Sequence, residues 1–140
     1  TWDQVQKLYE TYANDESAAA TAAKERAKAM INQMRDFAHY HFQSNSVYAD
    51  NVVAGGRFNS LCTDNLGLAL ELRVSGGNGQ LTVTDGAGKT HTIDANNSAM
   101  LSNLMTRDYW FNRSRAQATA IYTSSFCVIH ELSEALDSGQ

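Results

Sequence analysis

The chain has 140 residues, of which 43% are hydrophobic and 19% charged, and its formal net charge is −4. This length and balance predict one globular domain over residues 1–140 with a single hydrophobic core. The acidic net charge and the scattered basic residues argue against nucleic acid or anionic lipid as a partner. No apolar run reaches the roughly 18 residues that a transmembrane span needs.

Two helices are predicted in the first third of the chain. Apolar residues recur at three- to four-residue steps over residues 1–12, which is typical of an amphipathic helix. The stretch "NDES" at residues 14–17 ends this helix and offers capping side chains for the next. The second helix is expected to run from about Ser17 to Phe42.

The second helix opens with an alanine-rich, polar half, and its apolar stripe sharpens from Ala27 onward. The next position along that stripe is His41, so the pattern places His41 on the buried face, while His39 and Tyr40 point elsewhere. We therefore expect a helix that is solvated in its first half and buried in its second.

After residue 46 the hydrophobic period changes from helical to alternating, which predicts a meander of antiparallel hairpins. Helices followed by strands, with few parallel crossovers, indicate the α+β class. The expected elements are short strands broken at Gly55–Gly56, a half-buried strand over Leu68–Val74, turns at Gly76–Gly79 and Asp85–Gly88, strands at Leu81–Val83 and Thr90–Ile93, a short helix or turn at Ala99–Leu104, and final strands at Thr119–Thr123 and Phe126–Leu132.

Enzymatic and metal-dependent functions are not favoured by the residue spacings, so we expect no catalytic residue, no metal and no cofactor. His39 and His41 face apart on a helix, where metal-binding pairs are four residues apart. Cys127 and His130 lie three apart on a predicted strand and face opposite sides, and no nucleophile elbow is present. A metal-assisted enzyme that uses His39, His41 or His130 stays open as a third hypothesis.

The cysteines leave two alternatives. Cys62 and Cys127 are too few for a disulfide scaffold. They either form one bridge or remain two buried thiols that behave as small hydrophobes.

An aromatic cluster is the best binding candidate on chemical grounds. Tyr109, Trp110 and Phe111 are consecutive and follow Arg107. Three adjacent rings in an extended segment cannot all face one core, and Trp and Tyr are common at binding hot spots. Arg107, Tyr109 and Trp110 are therefore the predicted binding residues, with packing over the end of the core as the alternative.

Two short motifs resemble those of fasciclin domains. "SSFCVIHELSEAL" at residues 124–136 resembles the second signature of the family, an apolar strand that ends in Val128, Ile129 and His130. "FAHYHF" places Tyr40 and His41 at the end of a helix and is similar to the central Tyr-His motif of the family. Between the two motifs lies a meander of strands, as in the family, and the resemblance spans residues 30–136.

The resemblance implies a small twisted antiparallel β-sandwich or wedge with N-terminal helices packed on one side. It implies a non-enzymatic adhesion or interaction module that binds a protein or glycan, secreted, at the cell surface or in the periplasm of a bacterium. The sequence also resembles surface proteins of Bacteroidetes-type bacteria. In such proteins we expect a module of this kind to be one part of a longer lipoprotein. A carbohydrate- or small-ligand-binding protein with an aromatic crevice is the alternative.

In the family the two motifs are structural. Tyr40, His41, Val128, Ile129 and His130 are therefore expected to hold helix and sheet together, with both histidines largely buried and hydrogen-bonded.

Two departures from the family pattern matter. The first signature of the family is absent, and the chain has no proline, so residues 1–140 are expected to be the later part of one domain. An apolar edge is then either exposed or covered by another chain through self-association. The stretch "TAIYT" at residues 119–123 replaces the integrin motif of animal members, so integrin binding is not carried over.

Overall fold

The structure is a computed structural model that describes residues 1–49, 53–100, 102 and 128–140. Within these residues it has two helices followed by one four-stranded antiparallel sheet with the order β1-β2-β3-β4. The α+β class and the meander are confirmed. No helix in this part of the chain is long and apolar enough to cross a membrane. The elements are α1 (Trp2–Tyr12), α2 (Ala18–Tyr40), β1 (Val53–Thr63), β2 (Ala69–Gly77), β3 (Gln80–Thr84) and β4 (Thr90–Asp94).

The first half of α2 is a packing surface, because α1 folds back against it. Ser17 begins α2 as its N-cap, and its Oγ accepts a hydrogen bond of 3.2 Å from the Ala20 N–H. Val5 of α1 and Ala20 and Ala27 of α2 are buried, and the small alanine side chains allow two helices to pack closely. Most residues of the first half of α2 are exposed, as expected, but Ala20 is buried.

In the second half of α2, the residues that are buried differ from those that we expected. Ile31 and Phe37 on the apolar stripe are 45% and 56% exposed, whereas Tyr40 is only 1% exposed. His41 is half-buried and follows the helix as its C-cap. The predicted roles of Tyr40 and His41 were therefore exchanged. An apolar stripe predicts the buried face of a helix only where another element packs along the whole stripe. In the final turns of α2, Tyr40 is the residue that is buried.

Glycines bend the sheet and close its hairpins. β1 continues through Gly55, whose φ of 96° few other residues adopt, and the pairing with β2 shifts register between Val53 and Gly56. The glycine pair is thus an irregularity within one strand, and the predicted break was wrong. Asn78 and Gly79 both have positive φ and form the two-residue turn between β2 and β3.

The core lies on one face of the sheet. Alternating residues of β2, β3 and β4 point inward, and Tyr40 and Leu136 join them from outside the sheet. The opposite face carries polar side chains. The buried hydrophobic residues of the inner face are Cys62, Leu72, Val74, Leu81, Val83 and Ile93.

Several expectations fall wholly or partly outside the described residues. These include the strand at residues 119–123 and Cys127, and with Cys127 its pairing with Cys62. The described part of the predicted final strand, residues 128–132, is not a regular strand. Residues 98–100 form a turn at the start of the predicted short helix or turn.

The C-terminal segment, residues 132–139, lies against the β3–β4 turn. The Ala87 N–H donates a hydrogen bond of 3.3 Å to the Asp137 carbonyl oxygen. Lys89 of the turn forms an ion pair with Glu134. Gly86 lies so close to this segment that a Cβ there would collide with the Ser138 carbonyl oxygen.

This close approach predicts that Gly86→Ala destabilises the fold only while the C-terminal segment is present. We expect the substitution to lower the free energy of unfolding by about 1–3 kcal/mol in the full chain, as overpacking does. In a chain that ends at Leu136 the same substitution should cost much less. Urea denaturation of the four proteins measures this coupling, and an equal cost in both lengths would contradict the contact.

Candidate functional site

A buried carboxylate ties the C-terminal segment to the sheet. Asp85 follows β3, and its side chain is fully enclosed. Its Oδ1 accepts a hydrogen bond of 2.8 Å from the Lys89 N–H, which closes the β3–β4 turn. Its Oδ2 accepts from the Asp137 N–H at 3.0 Å and from Nε2 of His91 at 2.9 Å. We call Asp85, His91 and Asp137, together with Tyr40 and His41, the Asp85 junction.

Hydrogen bonds decide the charge of Asp85. Burial raises the pKa of its carboxyl group, but the hydrogen bonds from His91 and from the Asp137 and Lys89 N–H groups outweigh burial. The net effect holds the pKa below its ordinary value, so the group is a carboxylate at neutral pH. An ionised, fully hydrogen-bonded carboxylate fits a structural clamp.

Tyr40 connects α2 to two hairpins. Its hydroxyl accepts a hydrogen bond of 2.8 Å from the Gly86 N–H and donates one of 3.3 Å to the Glu71 carbonyl oxygen. Burial raises the pKa of Tyr40; the Gly86 N–H opposes this shift, and the charges of Asp85 and Asp137 add to it. The phenol is therefore a neutral connector between helix and sheet.

His41 uses both ring nitrogens to hold backbone. Nδ1–H donates to the Phe37 carbonyl oxygen at 2.7 Å, within the last turns of α2. Nε2 accepts from the Leu136 N–H at 3.0 Å, across 95 residues of sequence. These two bonds fix the tautomer with its proton on Nδ1.

His130 connects the second motif to the loop that follows α2. Nε2–H donates to the Val47 carbonyl oxygen at 2.6 Å, and Nδ1 lies 3.1 Å from the Ser102 hydroxyl. His130 is half-buried, as His41 is, so both rings are hydrogen-bonded but less enclosed than expected. Val128 is also half-buried, and Ile129 is 47% exposed.

The sequence reading missed His91, which is 2% exposed. The alternation of β4 places its side chain on the inner face with Ile93, opposite Val83 of β3. Nδ1 of His91 is buried and has no hydrogen-bond partner among the described residues. The sequence did contain a signal for the burial of His91: a histidine at an inward position of a strand that follows an Asp-Gly turn.

A cavity of about 410 Å³ lies over the inner face of the sheet. Residues 41–47 and 128–136 form its walls, and apolar side chains of β2, β3 and β4 form its floor. Gln43 is part of one wall, and its Oε1 is buried without a hydrogen-bond partner in the described part of the chain. The described lining of the cavity is therefore largely apolar, with Ser44, Asn45 and Ser46 in one wall and an unpaired acceptor on Gln43.

The outer face of the sheet carries a polar groove of about 490 Å³. Arg57 of β1 lies directly opposite Arg73 of β2, and Arg73 lies opposite Thr84 of β3. Arg57 is paired with Glu71 at 3.2 Å. Like charges opposite one another on a sheet repel, and Glu71 beside Arg57 offsets part of this repulsion.

The predicted binding residues Arg107, Tyr109 and Trp110 lie outside the described residues. His39 is another of the three histidines considered for a metal-assisted reaction, and it is exposed on α2. Among the residues that the structure describes, no group of three or more His, Cys, Asp or Glu is placed to hold a metal ion.

Comparison of the chain with protein-family models, with curated proteins and with solved structures finds no match. The fasciclin resemblance therefore depends on the sequence motifs alone.

The hydrogen bonds of the two motif histidines generate a stability prediction. We expect His41→Ala and His130→Ala each to lower the free energy of unfolding by about 1–3 kcal/mol, because each leaves backbone groups unpaired. His39→Ala is the matched control on the exposed side of α2 and should change stability by less than about 0.5 kcal/mol. Thermal or urea denaturation measures this; equal losses in all three variants would refute specific roles for His41 and His130.

The lowered pKa of Asp85 predicts a pH-dependent contribution to stability. A carboxyl group with a lower pKa in the folded chain stabilises the fold above its unfolded value, and this contribution is lost as the pH falls through the folded value. Asp85→Asn should therefore lower the free energy of unfolding at neutral pH by about 1–3 kcal/mol. The gap from the wild type should narrow in acid.

Urea denaturation between about pH 7 and about pH 3 tests this linkage. Asp3→Asn, an exposed change in the first turn of α1, is the control and should leave both stability and its pH dependence close to wild type. A gap between Asp85→Asn and the wild type that stays constant across this range would contradict the account.

Proposed function

We propose that the chain is a non-enzymatic interaction module of the fasciclin-like type, secreted or at the surface or in the periplasm of a bacterium. The observation that carries the proposal is the meeting of its two motifs. His41 at the end of α2 accepts a hydrogen bond from Leu136, and His130 donates one to Val47, in the loop that follows α2. Two motifs that lie some 90 residues apart in the sequence are thus joined by the hydrogen bond between Leu136 and His41.

The bonding of the histidines favours binding over catalysis. A general base needs a nitrogen that can reach a substrate proton, and both nitrogens of His41 already hold backbone. The fully buried Asp85–His91 pair contacts the β3–β4 turn and the C-terminal segment. A metal-assisted reaction through His39 or His130 remains the competing hypothesis, and metal analysis of the purified protein tests it.

Of the two partner classes, a glycan with carboxylate or sulfate groups fits the charged groups best. Arg57 and Arg73 are cross-strand partners that both line the open groove on the outer face, and Arg57 is also ion-paired with Glu71. Guanidinium groups bind planar anions through paired hydrogen bonds. The predicted cluster of Arg107, Tyr109 and Trp110 would add aromatic faces on which sugar rings stack.

Binding to immobilised neutral, carboxylated and sulfated glycans tests this proposal. We expect the acidic glycans to bind and Arg57→Ser/Arg73→Ser to weaken binding about tenfold or more, where tenfold corresponds to about 1.4 kcal/mol. Trp110→Ala should weaken binding by a similar factor. Added salt should weaken it further, because exposed charges are screened.

Two matched controls accompany these variants. Arg35→Ser removes an arginine of α2 that is exposed and paired with Asp36, and Trp2→Ala removes a tryptophan of α1 that is 62% exposed. Both should bind like the wild type. Binding to a protein alone, or equal losses in the control variants, would contradict glycan recognition by these two surfaces.

A small-ligand-binding protein is the second candidate function. The apolar cavity over the inner face of the sheet favours it, because ligand sites in proteins are concave, largely apolar and lined by few polar groups.

A further inference from the structure

We propose that the cavity over the inner sheet face binds a small, uncharged, largely apolar molecule that carries one hydroxyl group. This site lies on the face opposite the arginine groove, and the proposal does not depend on glycan recognition. The cavity has a volume of about 410 Å³, within the roughly 300–1,000 Å³ of most small-molecule sites.

The floor of the cavity selects an apolar ligand. It is formed by side chains of β2, β3 and β4 that alternate inward, so the sheet itself fixes their positions. These side chains are only 1–7% exposed, so the apolar surface open to a ligand is mainly that of Phe42 and Ile129. Hydrocarbon placed in the cavity gains dispersion contacts with this apolar lining. The floor residues are Leu72, Val74, Leu81, Val83 and Ile93.

The walls exclude a charged ligand. Among the described residues that line the cavity there is no Asp, Glu, Lys or Arg. The ring nitrogens of His41 bond backbone, and those of His130 bond the Val47 carbonyl oxygen and the Ser102 hydroxyl. A carboxylate or ammonium group in the cavity would lose its hydration without gaining a partner of opposite charge.

Gln43 supplies the polar contact. Its Oε1 is buried without a partner in the described part of the chain, whereas nearly all buried polar atoms in proteins are paired. The backbone of Gln43 is held by its bridge to Ser60 of β1, so the side chain starts from a fixed point. A hydroxyl group donates to an amide oxygen and can also accept from an amide nitrogen, so it satisfies either orientation of the Gln43 amide.

The edge of the cavity carries apolar side chains beside the polar residues Ser44, Asn45 and Ser46. Phe42 on one wall and Ile129 on the other are 60% and 47% exposed, although both also line the cavity. Large apolar side chains exposed beside an apolar cavity are typical of a ligand entrance. The hydrogen bonds of His41 to Leu136 and of His130 to Val47 join the two walls, so the space between them suits a small molecule better than a second folded surface.

Calorimetric titration with 1-octanol and with its isomer 1-methoxyheptane tests the proposal directly. The two ligands contain the same atoms, but only the alcohol can donate a hydrogen bond. We expect the alcohol to bind about five- to tenfold more tightly, the factor that one neutral hydrogen bond contributes. Octanoate should not bind detectably at neutral pH.

Gln43→Met keeps the length of the side chain and removes the acceptor. This variant should bind both isomers with similar affinity, and its melting temperature without ligand should rise because an unpaired buried group is lost. Gln80→Met is the control on the exposed position of β3, and it should retain the preference for the alcohol.

Three outcomes would overturn the proposal. These are absence of binding by either isomer, equal binding of both isomers to the wild-type chain, and a preference for the alcohol that survives Gln43→Met. Sedimentation of the protein at several concentrations supplies a further check. If 1-octanol binds only by dissociating a dimer, a second copy of the chain is the occupant and the small-molecule site is refuted.

Discussion

One buried carboxylate determines how the last residues of the chain attach to the sheet. Asp85 has no exposed side-chain surface and receives hydrogen bonds from two backbone N–H groups and from His91. An ionised group in such a site is tolerated only if its oxygens are paired. Because one donor is the Asp137 N–H, the turn after β3 stays satisfied only when the C-terminal segment is in place. Tyr40 and His41 then join α2 to the same junction.

The histidines of the two sequence motifs join the two walls of the cavity to each other. His41 accepts a hydrogen bond from the Leu136 N–H, and His130 donates one to the Val47 carbonyl oxygen. All four residues line the cavity over the inner face of the sheet. A domain built this way presents two surfaces, a polar outer face with Arg57 and an enclosed inner site with Gln43, and these correspond to the two proposed functions.

Local patterns predicted the elements well, and tertiary contacts account for most of what they missed. Capping residues and alternating hydrophobicity gave both helices and the meander, because these signals act over a few residues. The burial of Tyr40 instead of His41 depends on the distant Gly86 and Glu71. Likewise, nothing near His91 indicates that its partner would be a carboxylate six residues earlier. The hydrogen bonds of the motif histidines were expected from the resemblance, whereas the cavity had no signal in the sequence.

Amide hydrogen exchange at Leu136 and Asp137 tests the central claim most directly. Both residues lie outside regular secondary structure, where amides usually exchange fast. If His41 and Asp85 hold these two N–H groups as described, both should be protected to the same degree as the amides of β3. Exchange at the rate of an unstructured peptide, with β3 still protected, would show that the C-terminal segment is not bound to the sheet and would contradict the account.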